Sequence, residues 1–210
     1  MTPTAGDALL VVDMQNGFVP GGSLAVQGGD EIVPLINRIA RAFANVVETQ
    51  DWHPPGHISF ASSHPGRHPF DVIDLPYGRQ VLWPDHCVQD TADARLVSGL
   101  AIPHAGLVIR KGFHRGVDSY SVFNEADGTP TGLASYLRER RINRVFLAGL
   151  ATDFCVAFSA VDARKAGFEV LVIEDACRGI DASGSLAAAW DAMTKAGVQR
   201  ITSADIALPA

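Results

Sequence analysis

The chain contains 210 residues, which at roughly 150 residues per domain predicts one domain with a sizeable core. Hydrophobic residues make up 47% of it, and 20 glycines and 12 prolines are too few for a low-complexity chain, so disorder is excluded as the main state. The 17 Lys and Arg residues against 23 Asp and Glu give a net charge of -6, which offers no basic footprint for nucleic acid or anionic lipid.

The N-terminal segment does not read as a secretory signal. The first basic residue is Arg38, and no apolar run approaches the roughly 18 residues needed to cross a bilayer. Three cysteines, Cys87, Cys155 and Cys177, are too few and too odd in number for a disulfide framework. We therefore expect a cytoplasmic protein with no nucleic-acid or membrane partner, in which each cysteine is a small buried side chain or a reactive thiol.

Short β-branched runs alternate with longer helical patterns, as in repeated βαβ units. The predicted strands are at 8–13, 45–51, 106–111, 145–149, 168–175 and 198–202. The predicted helices are at 30–44, 131–141, 154–166 and 183–196. Asp30 is the expected N-cap of the first helix, and Gly167 is expected to end the third. This order predicts an α/β fold: a single-domain, doubly wound, parallel six-stranded sheet with helices on both faces.

The segment from about residue 52 to 104 interrupts the alternation. It is rich in Pro, His, Trp and Gly and has neither helical nor strand periodicity. A loop of this length inside a compact domain is usually functional. We therefore expect much of the chemistry to lie here.

Four side chains suited to acid, base or nucleophilic chemistry fall at the ends of predicted strands. Asp13, Asp51 and Lys111 end the first three strands, and Cys155 lies just past the fourth. Ligands of open α/β sheets bind outside the carboxyl ends of the strands, where the strand order reverses. One Asp at a strand end often only caps a turn, and one Lys often reaches solvent, so the coincidence of all four indicates a site.

Cys155 is the predicted nucleophile. Thr152 or Asp153 is expected to cap the helix that follows and to place Cys155 in its first turn. The helix dipole and the nearby Lys111 are then expected to lower the pKa of the thiol. Cys177 is instead predicted to be a buried, inert thiol.

Histidines in the long segment indicate a metal site. Asp51 and His53 are two residues apart, so their side chains project to one side of an extended segment. A carboxylate and imidazoles with open positions suit Zn, Fe or Mn. Solvated surface histidines are the alternative, and spacing alone leaves the third ligand open among His57, His64, His68 and His86.

Five motifs, in order along nearly the whole chain, carry a family resemblance. They are Val11-Val-Asp-Met-Gln-Asn-Gly-Phe18, Gln50-Asp-Trp-His-Pro-Pro-Gly-His-Ile-Ser-Phe60, Leu82-Trp-Pro-Asp-His-Cys-Val-Gln89, Lys111-Gly and Gly149-Leu-Ala-Thr-Asp-Phe-Cys-Val156. The sequence resembles the bacterial nicotinamidases, which include pyrazinamidase-like enzymes, within the isochorismatase-like cysteine hydrolases. The resemblance implies hydrolysis of nicotinamide, a linear amide, to nicotinate and ammonia through a cysteine thioester, as in NAD salvage.

The resemblance also implies roles for individual residues. It makes Asp13, Lys111 and Cys155 the catalytic triad, and it implies a cis peptide between Leu150 and Ala151, with the N–H groups of Ala151 and Cys155 as the oxyanion hole. It implies one divalent metal ion, zinc in the first place with iron or manganese as alternatives. The implied metal ligands are Asp51, His53 and His86, with support from His57 or Ser59, and the implied walls of the substrate ring are Phe18 and Trp83.

Two other readings compete with this one. The first is an amidase or isochorismatase-like hydrolase acting on another small molecule, which the metal cluster disfavours. The second is a non-catalytic metal-binding or redox-sensing module built on Cys155, which Asp13 and Lys111 at matching strand ends disfavour. Homo-oligomerisation and activity on pyrazinamide are left open.

Overall fold

A computed structural model describes residues 1–208, so the last two residues of the predicted domain, 209–210, lie outside the described residues. The strands of the described part are β1 (Asp7–Val12), β2 (Asn45–Asp51), β3 (Val72–Leu75), β4 (Gly78–Val81), β5 (Leu107–Lys111), β6 (Arg144–Leu150), β7 (Glu169–Arg178) and β8 (Gln199–Ile201). The α-helices are α1 (Val33–Ala40), α2 (Leu133–Glu139), α3 (Ala157–Lys165) and α4 (Ser185–Lys195).

The predicted parallel six-stranded sheet is confirmed. Its strand order is β5-β2-β1-β6-β7-β8, and every pairing in it is parallel. The chain runs outward from β1 to β5 on one side and then returns to start β6 on the other side of β1. The strand order therefore reverses between β1 and β6, where a doubly wound sheet binds its ligands.

Helices cover both faces of the sheet, as predicted. Alternate residues of β1 point to opposite faces: Leu9 and Val11 pack in one apolar cluster, while Ala8, Leu10 and Val12 pack in the other. Residues of α1 lie in the first cluster, and residues of α2, α3 and α4 lie in the second. Because β1 is buried along its whole length on both sides, its carboxyl end has a fixed position.

The first helix is shorter than predicted. It begins at Val33 rather than at Asp30, its N-cap position is Ile32 with no side-chain cap, and it ends at Ala40 rather than Ala44. Backbone bonds spanning three residues, such as those from Val33 N–H to the Asp30 carbonyl and from Phe43 N–H to the Ala40 carbonyl, flank the helix. The apolar pattern predicted the position of the helix correctly. Tight turns, and not helix, form the residues that were expected at its two ends.

The long segment contains a β-hairpin that the sequence pattern did not predict. Strands β3 and β4 pair antiparallel within residues 52–104. Both strands are short and mostly exposed, so they lack the run of buried apolar residues that marks a strand in a sequence. No helix within residues 1–208 is long and apolar enough to span a membrane.

Candidate active site

The four predicted side chains meet at the carboxyl edge of the sheet around Lys111. The Lys111 ammonium lies 3.0 Å from Asp13 Oδ2 and 3.3 Å from Cys155 Sγ, and it contacts Asp51 Oδ1. The carbonyl of Ser119 accepts a further hydrogen bond from it at 3.0 Å. Lys111 is only 1% exposed, so it does not reach solvent as an isolated strand-end lysine often does.

Thr49 fixes the carboxylate of Asp13, and sequence reasoning missed this residue. Asp13 follows β1 with a left-handed backbone (φ 47°) and is fully buried. The Thr49 hydroxyl accepts a hydrogen bond from the Asp13 N–H at 3.0 Å and donates one to Asp13 Oδ1. The neighbouring strand β2 thus holds Oδ1 and leaves Oδ2 facing Lys111. A threonine on a strand carries no local signal of this role.

Cys155 sits in a π-helical turn rather than in the first turn of an α-helix. This turn spans Thr152–Val156, and Ala151 occupies its N-cap position without a side-chain cap, so the predicted capping by Thr152 or Asp153 is wrong. The Asp153 carboxylate instead accepts hydrogen bonds from the backbone of Ile180 and Asp181. Asp153 thereby ties the turn to the loop after β7 instead of closing the helix end.

Two backbone features mark the junction between β6 and this turn. The peptide bond between Leu150 and Ala151 is cis, as the resemblance implied. Gly149 has φ 123°, and a Cβ there would lie 2.1 Å from the Val12 carbonyl oxygen. Only glycine permits this approach of β6 to β1.

The pKa of the Cys155 thiol is raised, contrary to the expectation that it is lowered. Burial raises the pKa of Cys155 well above its ordinary value, Lys111 opposes this effect, and Asp13 and Asp51 add to it. The cation was predictable from the sequence, but the burial of the thiol and the second carboxylate were not, and together they outweigh the effect of Lys111 on the pKa. Burial also raises the pKa of Cys177 to about 12, in accord with the inert thiol predicted there.

The two carboxylates beside Lys111 have different environments. Burial raises the pKa of Asp13, and the nearby Lys111 offsets only part of the effect. Burial also acts on Asp51, but Lys111 and His53 outweigh it and hold its pKa well below the ordinary value. The lowered pKa of Asp51 suits a carboxylate that stays charged as a metal ligand. The raised pKa of Asp13 suits a carboxylate that takes up a proton.

Asp51, His53 and His86 form a buried group whose ligand atoms face one another. Asp51 Oδ2 lies 3.6 Å from His53 Nε2 and 3.7 Å from His86 Nε2. Ligand atoms about 2.1 Å from one zinc ion are themselves about 3 to 3.5 Å apart, so the donor set fits a single ion. Of the four histidines that spacing left open, His86 is the one that the fold brings to Asp51 and His53.

Backbone carbonyls orient both imidazoles of this group. His53 Nδ1 donates to the Gly112 carbonyl at 2.9 Å, and His86 Nδ1 donates to the Pro84 carbonyl at 2.8 Å. Each ring therefore presents Nε2 with its lone pair, which is the arrangement of metal-ligating histidines. Gly112 is required here, since a Cβ on it would lie 2.5 Å from His53 Cε1.

His57 and Ser59 stand behind the metal group. The His57 ring lies 4.2 Å from the His53 ring, and its Nε2 donates to backbone carbonyls of His114 and Val117 at 3.1 and 3.0 Å. Its Nδ1 accepts the Ser59 hydroxyl at 2.7 Å. Both ring nitrogens are thus occupied, so any support from this pair acts through packing on His53.

Aromatic side chains surround the site. The Phe18 ring lies 5.5 Å from the His86 ring, and the Trp83 ring lies 4.8 Å edge-on from Phe154, the residue before Cys155. Tyr120 adds a third ring, 5.6 Å from Phe154, and its hydroxyl accepts a hydrogen bond from Trp83 Nε1 at 2.9 Å. Phe18 and Trp83 were predicted from the sequence, whereas Tyr120 lies in an irregular segment with no recognisable pattern.

This chain has a doubly wound α/β sheet with Asp13, Lys111 and Cys155 together at the point where the strand order reverses. These features are those of a cysteine hydrolase. The chain belongs to the isochorismatase domain family, whose pattern it matches over residues 7–205. This match confirms the resemblance seen in the motifs.

Individual relatives and solved structures show which members of the family are similar to this chain. The chain is 61% identical to the nicotinamidase of Acinetobacter baylyi over 200 residues, covering 95% of this chain and 94% of that one. Its structure is similar to that of a nicotinamidase and pyrazinamidase from Acinetobacter baumannii, with a TM-score of 0.95, 60% identity and coverage of 96% and 98%. It is also similar to the pyrazinamidase of Pyrococcus horikoshii in complex with zinc, with a TM-score of 0.76, 36% identity and coverage of 94% and 99%.

Proposed function

We propose that this protein is a nicotinamidase, which hydrolyses nicotinamide to nicotinate and ammonia. The observation that carries the proposal is the adjacency of two groups: Cys155 lies 3.3 Å from Lys111, and Lys111 also contacts Asp51 of the Asp51, His53 and His86 group. A carboxamide on a ring with its own nitrogen matches both groups at once. Formation of nicotinate fits a role in NAD salvage.

Asp13 is the general base of the first step, and Cys155 is the nucleophile. Asp13 lies next to the Cys155 thiol and takes its proton as the sulfur attacks the carboxamide carbon. Lys111 keeps the local field positive while negative charge moves from sulfur to oxygen. The raised pKa of Cys155 suits this order, since a thiol that holds its proton needs a neighbouring base.

The backbone N–H groups of Ala151 and Cys155 hold the oxygen of the tetrahedral intermediate, and one such donor contributes about 3 to 4 kcal/mol in enzymes. The carbon–nitrogen bond then breaks, and Asp13 returns the proton to the departing ammonia. Water attacks the thioester with Asp13 again as base. Nicotinate leaves, and the Cys155 thiol is regenerated.

Asp51, His53 and His86 hold one divalent ion, and their mixed oxygen and nitrogen donors favour zinc, with iron or manganese as alternatives. When bound, such an ion would supply a Lewis-acidic anchor for the ring nitrogen of the substrate. Phe18 and Trp83 flank the ring, and His57 with Ser59 supports His53 from behind. We also propose that the chain acts as one hydrolase domain, with residues 52–104 supplying much of the metal site.

Ammonia release by the purified protein tests the proposal. Metal-loaded protein is expected to release ammonia from nicotinamide and to act poorly on benzamide, which has the carboxamide but no ring nitrogen. After chelation the preference for nicotinamide should shrink, because the ring is no longer anchored. No ammonia from nicotinamide would overturn the proposed function, and an equally large preference after chelation would overturn the role of the metal alone.

A further inference from the structure

Gln80 is the residue of the β3–β4 hairpin that the protein encloses. Among Val72–Leu75 and Gly78–Val81 it alone is buried, with 2% exposure, although it is polar. A buried amide needs hydrogen-bond partners on both its nitrogen and its oxygen. The partners of Gln80 lie next to the candidate active site, although Gln80 itself contacts none of the reacting groups.

The surroundings fix the orientation of the Gln80 amide. Its nitrogen donates to Asp118 Oδ2 and to the Val81 carbonyl, both at 2.7 Å, and lies 3.2 Å from the Tyr120 hydroxyl. A carboxylate and a carbonyl only accept hydrogen bonds, so the nitrogen end must face them. The amide oxygen accepts the Tyr77 hydroxyl at 3.2 Å.

One branch of this network reaches the aromatic wall beside Cys155. The Tyr120 hydroxyl receives an N–H from Trp83 at 2.9 Å in addition to its contact with Gln80. The rings of Trp83 and Tyr120 both contact Phe154, at centroid distances of 4.8 and 5.6 Å. The Gln80 nitrogen has two hydrogens for three acceptors, so one hydrogen is shared between the Tyr120 hydroxyl and a neighbouring acceptor. Gln80 and Trp83 together therefore position the Tyr120 hydroxyl.

The other branch reaches Lys111. Asp118 Oδ1 accepts the Ser119 N–H at 2.8 Å, and the Ser119 carbonyl accepts the Lys111 ammonium at 3.0 Å. One amide group in the hairpin thus contacts both the ring that borders the site and the loop that holds its lysine.

Open space lies next to Tyr120. A surface cavity of about 510 Å³ is lined by Gln80, Tyr120 and Phe158, among others. Packing alone therefore does not enclose the Tyr120 ring on this side, so the hydrogen bonds of its hydroxyl contribute to its position. A well-packed core ring would not need a polar anchor of this kind.

We propose that Gln80 is a positioning residue for substrate binding, which holds the Tyr120 and Trp83 side chains in the geometry that receives the pyridine ring. Gln80 touches none of the reacting atoms. The inference rests on the proposed nicotinamidase function and assigns a part in it to the hairpin.

Kinetics of a Gln80→Met variant test this inference. Methionine keeps the length of the side chain and removes its hydrogen bonds. The KM for nicotinamide should rise about 10-fold or more while kcat changes less than about threefold, because ring binding is weakened whereas Lys111 keeps its direct contacts with Asp13 and Cys155. The matched control is Arg79→Met on the neighbouring, exposed residue, which should leave both constants unchanged. A residue that only stabilises the hairpin would lower the melting temperature without changing KM.

Tyr120→Phe provides a second route that does not depend on the folding of the first variant. It keeps the ring and removes the anchored hydroxyl, so KM should rise in the same way. In the double variant the two effects should not add, because both break the same link.

The outcomes separate the inference from the function on which it rests. An unchanged KM in Gln80→Met or in Tyr120→Phe would overturn the inference while wild-type activity upheld the function, and so would fully additive effects in the double variant. Absence of ammonia release by the wild-type protein would overturn both.

Discussion

At the scale of single residues, Lys111 organises the candidate site. An ammonium has three hydrogens, yet Lys111 lies among Asp13, Asp51, Cys155 and the Ser119 carbonyl. Burial alone would lower the pKa of Lys111, but Asp13 and Asp51 hold it well above the ordinary value, so the lysine stays charged. A permanent charge in this position balances two carboxylates that could not otherwise be buried side by side.

Asp13→Asn tests the role of Asp13 as the base. Asparagine keeps the shape and the hydrogen bond from Thr49, but it cannot accept the thiol proton. We expect kcat for nicotinamide to fall by about 10² to 10⁴, measured as ammonia release by the folded variant.

Asp7→Asn is the control for this change, at the opposite end of the same strand. Asp7 is buried and paired with Arg144 at 2.7 Å, so its loss should reduce stability and leave kcat unchanged. A normal rate in Asp13→Asn would contradict the proposed base.

The site residues at strand ends were predictable from the sequence, because the carboxyl ends of parallel strands meet at one edge of the sheet. Sequence reasoning missed Thr49, Tyr120 and Gln80, each of which is linked to the site through a partner 36 or more residues away in the chain. It also misjudged the Cys155 thiol, since the degree of burial depends on the loops that close over the site and not on the local motif.

At the scale of elements, the end of β5 links the sheet to the candidate metal group. Lys111 ends the strand, and the next residue, Gly112, supplies the carbonyl that orients His53. Gly112 has φ 64°, and its missing Cβ leaves room for the imidazole. The Lys-Gly pair thus serves both halves of the site.

Gly112→Ala should displace His53. We expect the affinity for zinc to fall about 10- to 100-fold, the range found when the groups that orient metal ligands are altered. Competition with a chromophoric chelator measures this affinity.

Gly128→Ala is the matched control, because Gly128 has φ 89° and a Cβ there would meet no atom within 4 Å. It introduces the same backbone strain without the clash. Equal zinc affinity in the Gly112→Ala and wild-type proteins would show that the glycine does not position His53.

The six sheet strands and four helices were predictable because buried β-branched runs and apolar helix faces recur with distinct periods. The β3–β4 hairpin was not, because its strands are short and mostly exposed. The π-helical turn at Thr152–Val156 was read as an ordinary helix start, since its sequence offers two polar residues in capping position.

At the scale of the whole molecule, the candidate metal group joins the sheet to the long segment. Asp51 ends β2, whereas His53 and His86 belong to the segment between β2 and β5. A bound ion would therefore stabilise the folded chain as well as serve the substrate, because it favours the native state by mass action.

Zinc should raise the melting temperature of the chelated protein. At a free zinc concentration of about 100 times Kd we expect an increase of roughly 5 to 10 °C for a chain of this size. The increase should be lost in His86→Ala, which calorimetry of both proteins with and without zinc can test. An equal increase in His86→Ala would place the ion elsewhere.

The most direct test of the account is ammonia release from nicotinamide by Cys155→Ala and Cys177→Ala, measured beside the wild-type protein. Both cysteines are buried in the same apolar cluster, so the pair is matched for packing. We expect no release above the uncatalysed rate from Cys155→Ala and near wild-type release from Cys177→Ala. Turnover by Cys155→Ala would contradict the claim that the Cys155 sulfur attacks the amide.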